Sequence, residues 1–445
     1  MNAHDISYKV KAEVADYEVY FQRCVINELE IQKNVPIFVN KADTAGYGIR
    51  ILEKGGLGFS SSDDLSDSAI QRAIGDALHS AKLTEPVTFA FPQKKSFKTV
   101  KTTDLSIKGD AEGAITSYAE QFLDEVPSNV LIAFGKIRSY YSQIELINSE
   151  GLDLQRDESY FMVEASIVSK DDKKVVEYWP HEYRRRIEDL PPTLLNKWAE
   201  KAHDQLIARE PASMTCEIIF SPRSVLDGLG PVIAFHASGK AKVNGVSKFS
   251  LGETVASRDL TARSNGLYSF GLMSSGFDDE GIPQENHSLI SNGVFTKYIY
   301  DQFYGMRKDE TESTGNGLRQ IDTTIKSKYA LIPNNTVSNF HIEPGNKDLE
   351  QLIEEIDHGV LVESFSWLLP DKTTGSFSSE IRAAYSIENG EIKTPLKGGL
   401  VYGNFFDLIK NVSGVSRTAE ITSGGSMLAG VCPYIRFENV NIAGV

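Results

Sequence analysis

"VIAFHASGKAKVNG", residues Val232–Gly245, is the stretch on which the reading of the fold turns. Its apolar residues recur at helical spacing and run into a Gly-containing exit, inside a region otherwise made of short strand-like runs and turns. One histidine, His236, follows Leu229, Val232 and Ile233 at intervals that place it on their stripe if the helix is regular. The helix opens at Ser221-Pro222, a capping residue followed by proline at the first helical position, directly behind the strand-like "CEIIF" of Cys216–Phe220. Helix and strands are therefore mixed within one segment, and the expected class is α+β.

Working outward, residues 1–85 read as a first α+β unit. "YEVYFQRCVINELEIQ" and "YGIRILEKGGLGFSSS" alternate apolar and polar residues as strands do, with a hairpin reversal at Lys54-Gly55-Gly56. Behind them, Ile70, Ala73, Ile74, Ala77, Leu78 and Ala81 mark a helix capped by Ser66 or Asp67. The run "TEPVTFAFPQKKSFKTVKTTD" reads as a linker or, in part, an edge strand. A second α+β unit, 86–210, carries the helix "DAEGAITSYAEQFLDEVP", several strands and the helix "TLLNKWAEKAHDQLIA". Residues 211–445 form the largest unit, mainly antiparallel β, interrupted by "KDLEQLIEEIDHG", whose Leu349, Leu352, Ile353 and Ile356 face inward and whose Gly359 is expected as a left-handed stop.

The chain has 445 residues, 46 Lys plus Arg against 61 Asp plus Glu, and a formal charge of −15. That balance argues against direct nucleic-acid binding, which needs a basic footprint. The basic runs Lys94–Lys101 and Arg184–Arg186 are read as solvated edges rather than a patch. Three scattered cysteines, Cys24, Cys216 and Cys432, give neither a disulfide framework nor a metal knuckle. With no signal-like start and no long apolar run, a cytoplasmic, soluble protein is expected.

Chemistry-bearing motifs are few. No Walker A loop, GxGxxG turn, GxSxG elbow or HExxH pair occurs. His181-Glu182 is followed by arginines, which disfavour a metal. Asp278 and Asp279 in "SGFDDEGIP" are either a hard-cation or acid–base pair, or a polar turn entering a strand. Cys432, before a proline and a strand-like run, reads as a small buried residue.

One longer pattern is specific. "FDDEGIPQENHSLISNGVFTKYIYDQFYGMR" (Phe277–Arg307) is followed in order by "STGNGLR", "IEPGNKDLEQLIEEIDHGVLVESF", "TTGSFSSEIRAAYSIENGEI", "VYGNFFDLIKNV" and "IRFENVNIAGV". Together they resemble the TldD/PmbA family, the modulators of DNA gyrase, and "GYGIRILEKGGLGFSSS" and "INSEGLDLQRDES" resemble its first two domains. The resemblance implies two kinds of subunit. TldD-type members carry HEAxGH, with two zinc-binding histidines and a glutamate that activates water, and a cysteine further on is implied as another ligand. PmbA-type members, also called TldE, lack that motif and pair with a TldD-type chain. Aligned on Gly239, "FHASGK" stands in its place, so Phe235 and Lys240 replace the two histidines and His236 replaces the glutamate. Phenylalanine has no lone pair and an ammonium repels the ion.

The resemblance thus implies a non-catalytic, PmbA/TldE-like subunit with no catalytic residue, metal ligand or cofactor of its own. Zinc is expected in the TldD-type partner, and unfolded peptides as the substrates of the heterodimeric metallopeptidase. A peptide-binding or gyrase-modulating homodimer without protease activity is one alternative. An autonomous peptidase improvised from His236 with Asp278, Asp279 or Cys432 is another.

Overall fold

A computed structural model of the chain describes residues 1–127, 130–307, 312–319, 325–424 and 428–444. The architecture is α+β with mostly antiparallel sheets, as the sequence predicts. It opens with a helix that hydropathy does not flag, α1 (Ala3–Lys11), which is fixed by a reciprocal capping box between Asn2 and Asp5.

Seven strands follow: β1 (Asp16–Gln32), β2 (Val35–Glu53), β3 (Gly56–Ser62), β4 (Leu131–Asn148), β5 (Asp153–Lys170), β6 (Val175–Tyr178) and β7 (His181–Arg184). They form one antiparallel sheet in the order β3-β2-β1-β4-β5-β6, with β7 also on β5. Because β1 lies against β4, a single sheet runs through residues 1–85 and 86–210. The β2–β3 reversal comes where it is expected, with Lys54 and Gly55 both at positive φ.

Alternation along the strands sorts the residues onto two faces. Val19, Phe21, Ile49 and Ile51 pack under α1 and α2 (Asp67–Leu83, capped by Ser66). Further along the same face, Leu29, Ile137, Phe161 and Val163 pack under α3 (Leu105–Asp124) and α4 (Leu194–Ile207). α3 breaks at Asp110, whose carboxylate accepts the Gly113 N–H at 3.0 Å, so the helix read from the sequence is its second part. The opposite face, with Tyr20, Ile144 and Tyr160, meets the C-terminal segment at Phe277, Tyr329 and Leu272. Residues 85–104 contain no strand and cross the surface as a strap that buries Phe89 and Phe91.

The C-terminal segment opens with β8 (Met214–Phe220), α5 (Pro222–His236, capped by Ser221) and α6 (Gly239–Val243). Its further strands are β9 (Ala262–Asn265), β10 (Asn286–Ser291), β11 (Val294–Phe295), β12 (Gly317–Leu318), β13 (Asn334–Asn335), β14 (Asn339–Ile342), β15 (His358–Phe365), β16 (Ser376–Glu388), β17 (Glu391–Leu396), β18 (Leu400–Asn404), β19 (Val412–Ser423) and β20 (Ala429–Ala443). The pairings β8–β15, β15–β16, β16–β18, β18–β20 and β20–β8 close a ring. Only β8–β15 and β14–β20 are parallel among these strand pairs. Leu229, Val232 and Ile233 of α5 share one core with Ile218, Phe340, Val362 and Phe437.

One expectation is corrected. The helix α7 (Gln302–Gly305) is a single turn, and α8 (Leu349–Glu354) ends with Glu355 as an ordinary right-handed cap. Gly359 is therefore not a helix stop. It lies in β15 opposite Glu217, where a Cβ would come within 2.6 Å of the Glu217 carbonyl oxygen. The glycine serves close strand approach instead of a left-handed turn.

Candidate functional site

Three places carry chemistry, and α5 links two of them. At its C-terminal end the helix stops at His236, Ser238 caps α6 by accepting the Ala241 N–H, and Gly239 donates its N–H to the Ile299 carbonyl at 2.7 Å. A Cβ at Gly239 would overlap the Tyr300 ring, so glycine is required there by close packing. Phe235 is half-buried and Lys240 exposed, whereas His236 is 0% exposed. Its ring sits 5.0 Å from the rings of Phe235 and Phe406 and 5.3 Å from that of Phe249. The Lys248 backbone N–H donates to His236 Nδ1 at 3.0 Å, which fixes Nδ1 as the acceptor and Nε2 as the protonated nitrogen. Nε2 lies buried without a hydrogen-bond partner among the described residues. Burial, reinforced by the Lys248 charge, pushes the imidazole down to about 4, so it is neutral at pH 7.

This donor set does not fit zinc. The lone pair of the one imidazole is already taken by a backbone N–H, its neighbour is a phenyl ring, and Lys240 offers an ammonium. Among the described residues no three His, Cys, Asp or Glu side chains are grouped to hold a metal ion. Cys432 is fully buried, its thiol pushed far up by burial, and its Sγ faces the Phe340 carbonyl at 3.8 Å. Burial likewise pushes Cys24 and Cys216 up to about 11, so none of the three is a ready nucleophile at neutral pH.

The second place is the loop Asp278-Asp279-Glu280, which the structure assigns to packing between the two sheets rather than to a cation. All three are buried and every carboxylate is engaged by protein donors. Asp278 accepts N–H groups of Glu280, Ile282 and Gly317. Asp279 accepts the Arg319 N–H at 2.6 Å, the Tyr20 hydroxyl at 3.2 Å and the Arg156 guanidinium. Glu280 accepts from Arg50 at 2.7 Å and from the Gln302 N–H at 2.8 Å. Arg50 in turn holds Glu18, and Glu158 pairs with Arg156 at 2.8 Å and Lys328 at 2.7 Å. Despite burial, the surrounding cations hold the Glu158 carboxyl well below the usual range. Burial and the Glu280 charge push Asp278 up, and the same two causes raise Asp301 to about 7. Glu18, Arg50, Arg156 and Glu158 were not singled out in the sequence. Glu18 and Arg50 each stand between apolar residues of β1 and β2, a pattern that marks a buried polar face when a second layer covers it, whereas Arg156 and Glu158 lie in the largely polar run Asp153–Ser159 and carry no such signal.

The third place is a groove at the N-terminal end of α5. Trp179 and Pro180 of the β6–β7 connection and His181 at the start of β7 face Arg223 and Ser224 of the first helical turn, Phe365 at the end of β15 and Ser366–Leu369 of the loop after it. His181 Nε2 lies 3.1 Å from the Arg223 guanidinium, and burial together with that charge pushes the imidazole down to about 4. His181-Glu182 is thus part of an arginine contact. The adjoining arginines form no patch: Arg184 pairs with Glu182, Arg186 with Asp189, and buried Arg185 donates to the carbonyls of Gly271 and Leu272.

Comparison with known proteins follows the same outline. Residues 213–444 match the PmbA/TldA metallopeptidase C-terminal domain and residues 17–81 match PmbA/TldA metallopeptidase domain 1. The chain is 24% identical to Metalloprotease PmbA of Escherichia coli O157:H7, covering 86% of this chain and 83% of that one. It is 24% identical to a Metalloprotease TldD homolog of Buchnera aphidicola subsp. Acyrthosiphon pisum, covering 96% and 93%. In fold it matches the crystal structure of TldE from Thermococcus kodakarensis with a TM-score of 0.87 at 23% identity, over 99% of both chains. No helix among the described residues is long and apolar enough to cross a membrane.

Proposed function

We propose a function from one premise: the chain belongs to the PmbA/TldD metallopeptidase family. Within it, the chain acts as a TldE-like subunit that supports cleavage of unfolded peptides by a TldD-type partner and leaves zinc, water activation and peptide-bond chemistry to that partner. The observation that carries this reading is the α5–α6 junction. Where the family's zinc motif would fall stand a phenyl ring, a buried neutral imidazole whose Nδ1 is held by the Lys248 N–H, and an exposed ammonium. None of them activates a water molecule.

A second feature suits a supporting role. The first part of β2 lies outside the stretch paired with β3, which begins at Tyr47, and carries exposed Val35, Ile37 and Val39. An open edge with apolar side chains can accept another extended strand, and extended backbone is what an unfolded peptide offers.

The test is reconstitution in vitro and in the cytoplasm. The chain co-purified with a TldD-type subunit is expected to yield hydrolysis of an unfolded peptide that neither chain gives alone, with zinc only in the partner. Stoichiometric zinc in this chain, or partner activity indifferent to its presence, defeats the proposal.

A further inference from the structure

The groove at the start of α5 holds features that packing leaves unused. The chain has three tryptophans. Trp198 is buried under the first sheet, while Trp179 and Trp367, 50% and 70% exposed, stand at one cavity of about 330 Å³. Trp179 meets Phe134 edge-on with ring centroids 6.4 Å apart, and both tryptophans still leave large apolar faces exposed at the cavity. Two guanidiniums also line it. Arg382 makes no ion pair among the described residues, and Arg223 reaches Asp227 only at 3.9 Å. The Ser364 hydroxyl, on the same lining, is buried with no hydrogen-bond partner among the described residues. His181 is neutral and faces the Arg223 guanidinium, so it orients the arginine without adding charge. On a chain of net charge −15, two guanidiniums against the one carboxylate of Asp227 leave this aromatic-walled cleft with a local positive balance. It shares Arg223 and Ser364 with a second cavity of about 520 Å³, whose lining mixes Lys197 and Lys201 with Glu363 and Glu420 and so favours no one charge.

We infer that this cleft binds the free C-terminal end of an extended peptide, its carboxylate on Arg223 and Arg382, its last apolar side chain between Trp179 and Trp367, and its terminal amide at Ser364. A carboxylate matches guanidinium in charge and in the planar fork geometry. The apolar walls suit one side chain, the first cavity has the size of a small-ligand pocket, and the second gives the preceding residues a path. The inference deepens the reading of the chain as a handler of unfolded peptides, and it concerns this subunit without its partner.

The full chain is titrated with the tetrapeptide acetyl-Gly-Gly-Leu-Phe, once with a free carboxylate and once as the C-terminal amide. Binding is read by tryptophan fluorescence and calorimetry. The acid is expected to bind and to perturb the emission, and the amide to bind about tenfold more weakly or worse, the worth of one charge-assisted pair. Arg382→Met is expected to weaken the acid by a similar factor at unchanged melting temperature, and Trp367→Ala to weaken acid and amide alike. Equal binding of acid and amide, an unchanged Kd for Arg382→Met, or inorganic phosphate displacing the peptide at lower concentration than acetate overturns the inference. Because the readout needs no partner and no hydrolysis, its failure is distinguishable from failure of the subunit proposal.

Discussion

His236 shows what a single residue does once a catalytic motif has been rewritten. Its folded pKa is depressed from the usual 6.5 to about 4, mainly by burial. The unfolded chain therefore binds a proton that the folded chain refuses, and this residue's support for the fold is present above about pH 6.5 and lost as pH falls from there toward 4. His236→Phe is expected to shrink the loss of melting temperature between pH 6.5 and 4. At pH 7.5 it is expected to cost about 1–3 kcal/mol, because the Lys248 N–H loses its acceptor. An unchanged acid limb in pH-dependent thermal melts counts against this account. That His236 is packed was legible in the sequence, since it shares the stripe of Leu229, Val232 and Ile233. Its acceptor role was not, because the donor lies twelve residues on, across the α6 turn.

At the level of elements, what was local was readable. Asn292-Gly293 and Asn389-Gly390 adopt positive φ at the β10–β11 and β16–β17 hairpins, as the chemistry of those residue pairs demands. Glycines whose purpose is a distant neighbour were not readable. Gly359 after an apolar helical run looks like a helix stop, yet it makes room for β8, a strand some 140 residues earlier. Gly239 belongs to the same class, because its constraint comes from Tyr300. Gly239→Ala is expected to displace α6 and lower stability by about 1–3 kcal/mol in chemical denaturation. Gly75→Ala, with open space around its Cβ in the middle of α2, is expected to leave stability unchanged or raise it by up to about 1 kcal/mol. Similar losses at both sites would refute the packing argument.

For the whole molecule, the decisive layer is the charged seam between the first sheet and the C-terminal segment. Its members come from residues as far apart as Glu18 and Lys328, and pairing over such distances leaves no local pattern in a single sequence. The α+β class could be read from periodicity, but not the continuity of one sheet through residues 1–85 and 86–210 or the role of Asp278–Glu280 as its counter-face. Arg50→Met leaves Glu18 and Glu280 buried without their shared cation, and the expected loss is about 3–5 kcal/mol. Protease-accessible separation of the two layers should accompany it, read by limited proteolysis. A loss below about 1 kcal/mol would mean that the seam contributes no more than surface pairs do. The ring of strands bears on biosynthesis. β8 leaves the ribosome at mid-chain, before both of its flanking strands, β15 and β20, the latter roughly 210 residues later. At about 5–20 residues per second its edges wait on the order of ten to forty seconds for their neighbours. In that interval a nascent chain exposes Ile218, Ile219 and Phe220, which makes it a client for holdase chaperones and gives slow translation a cost in yield.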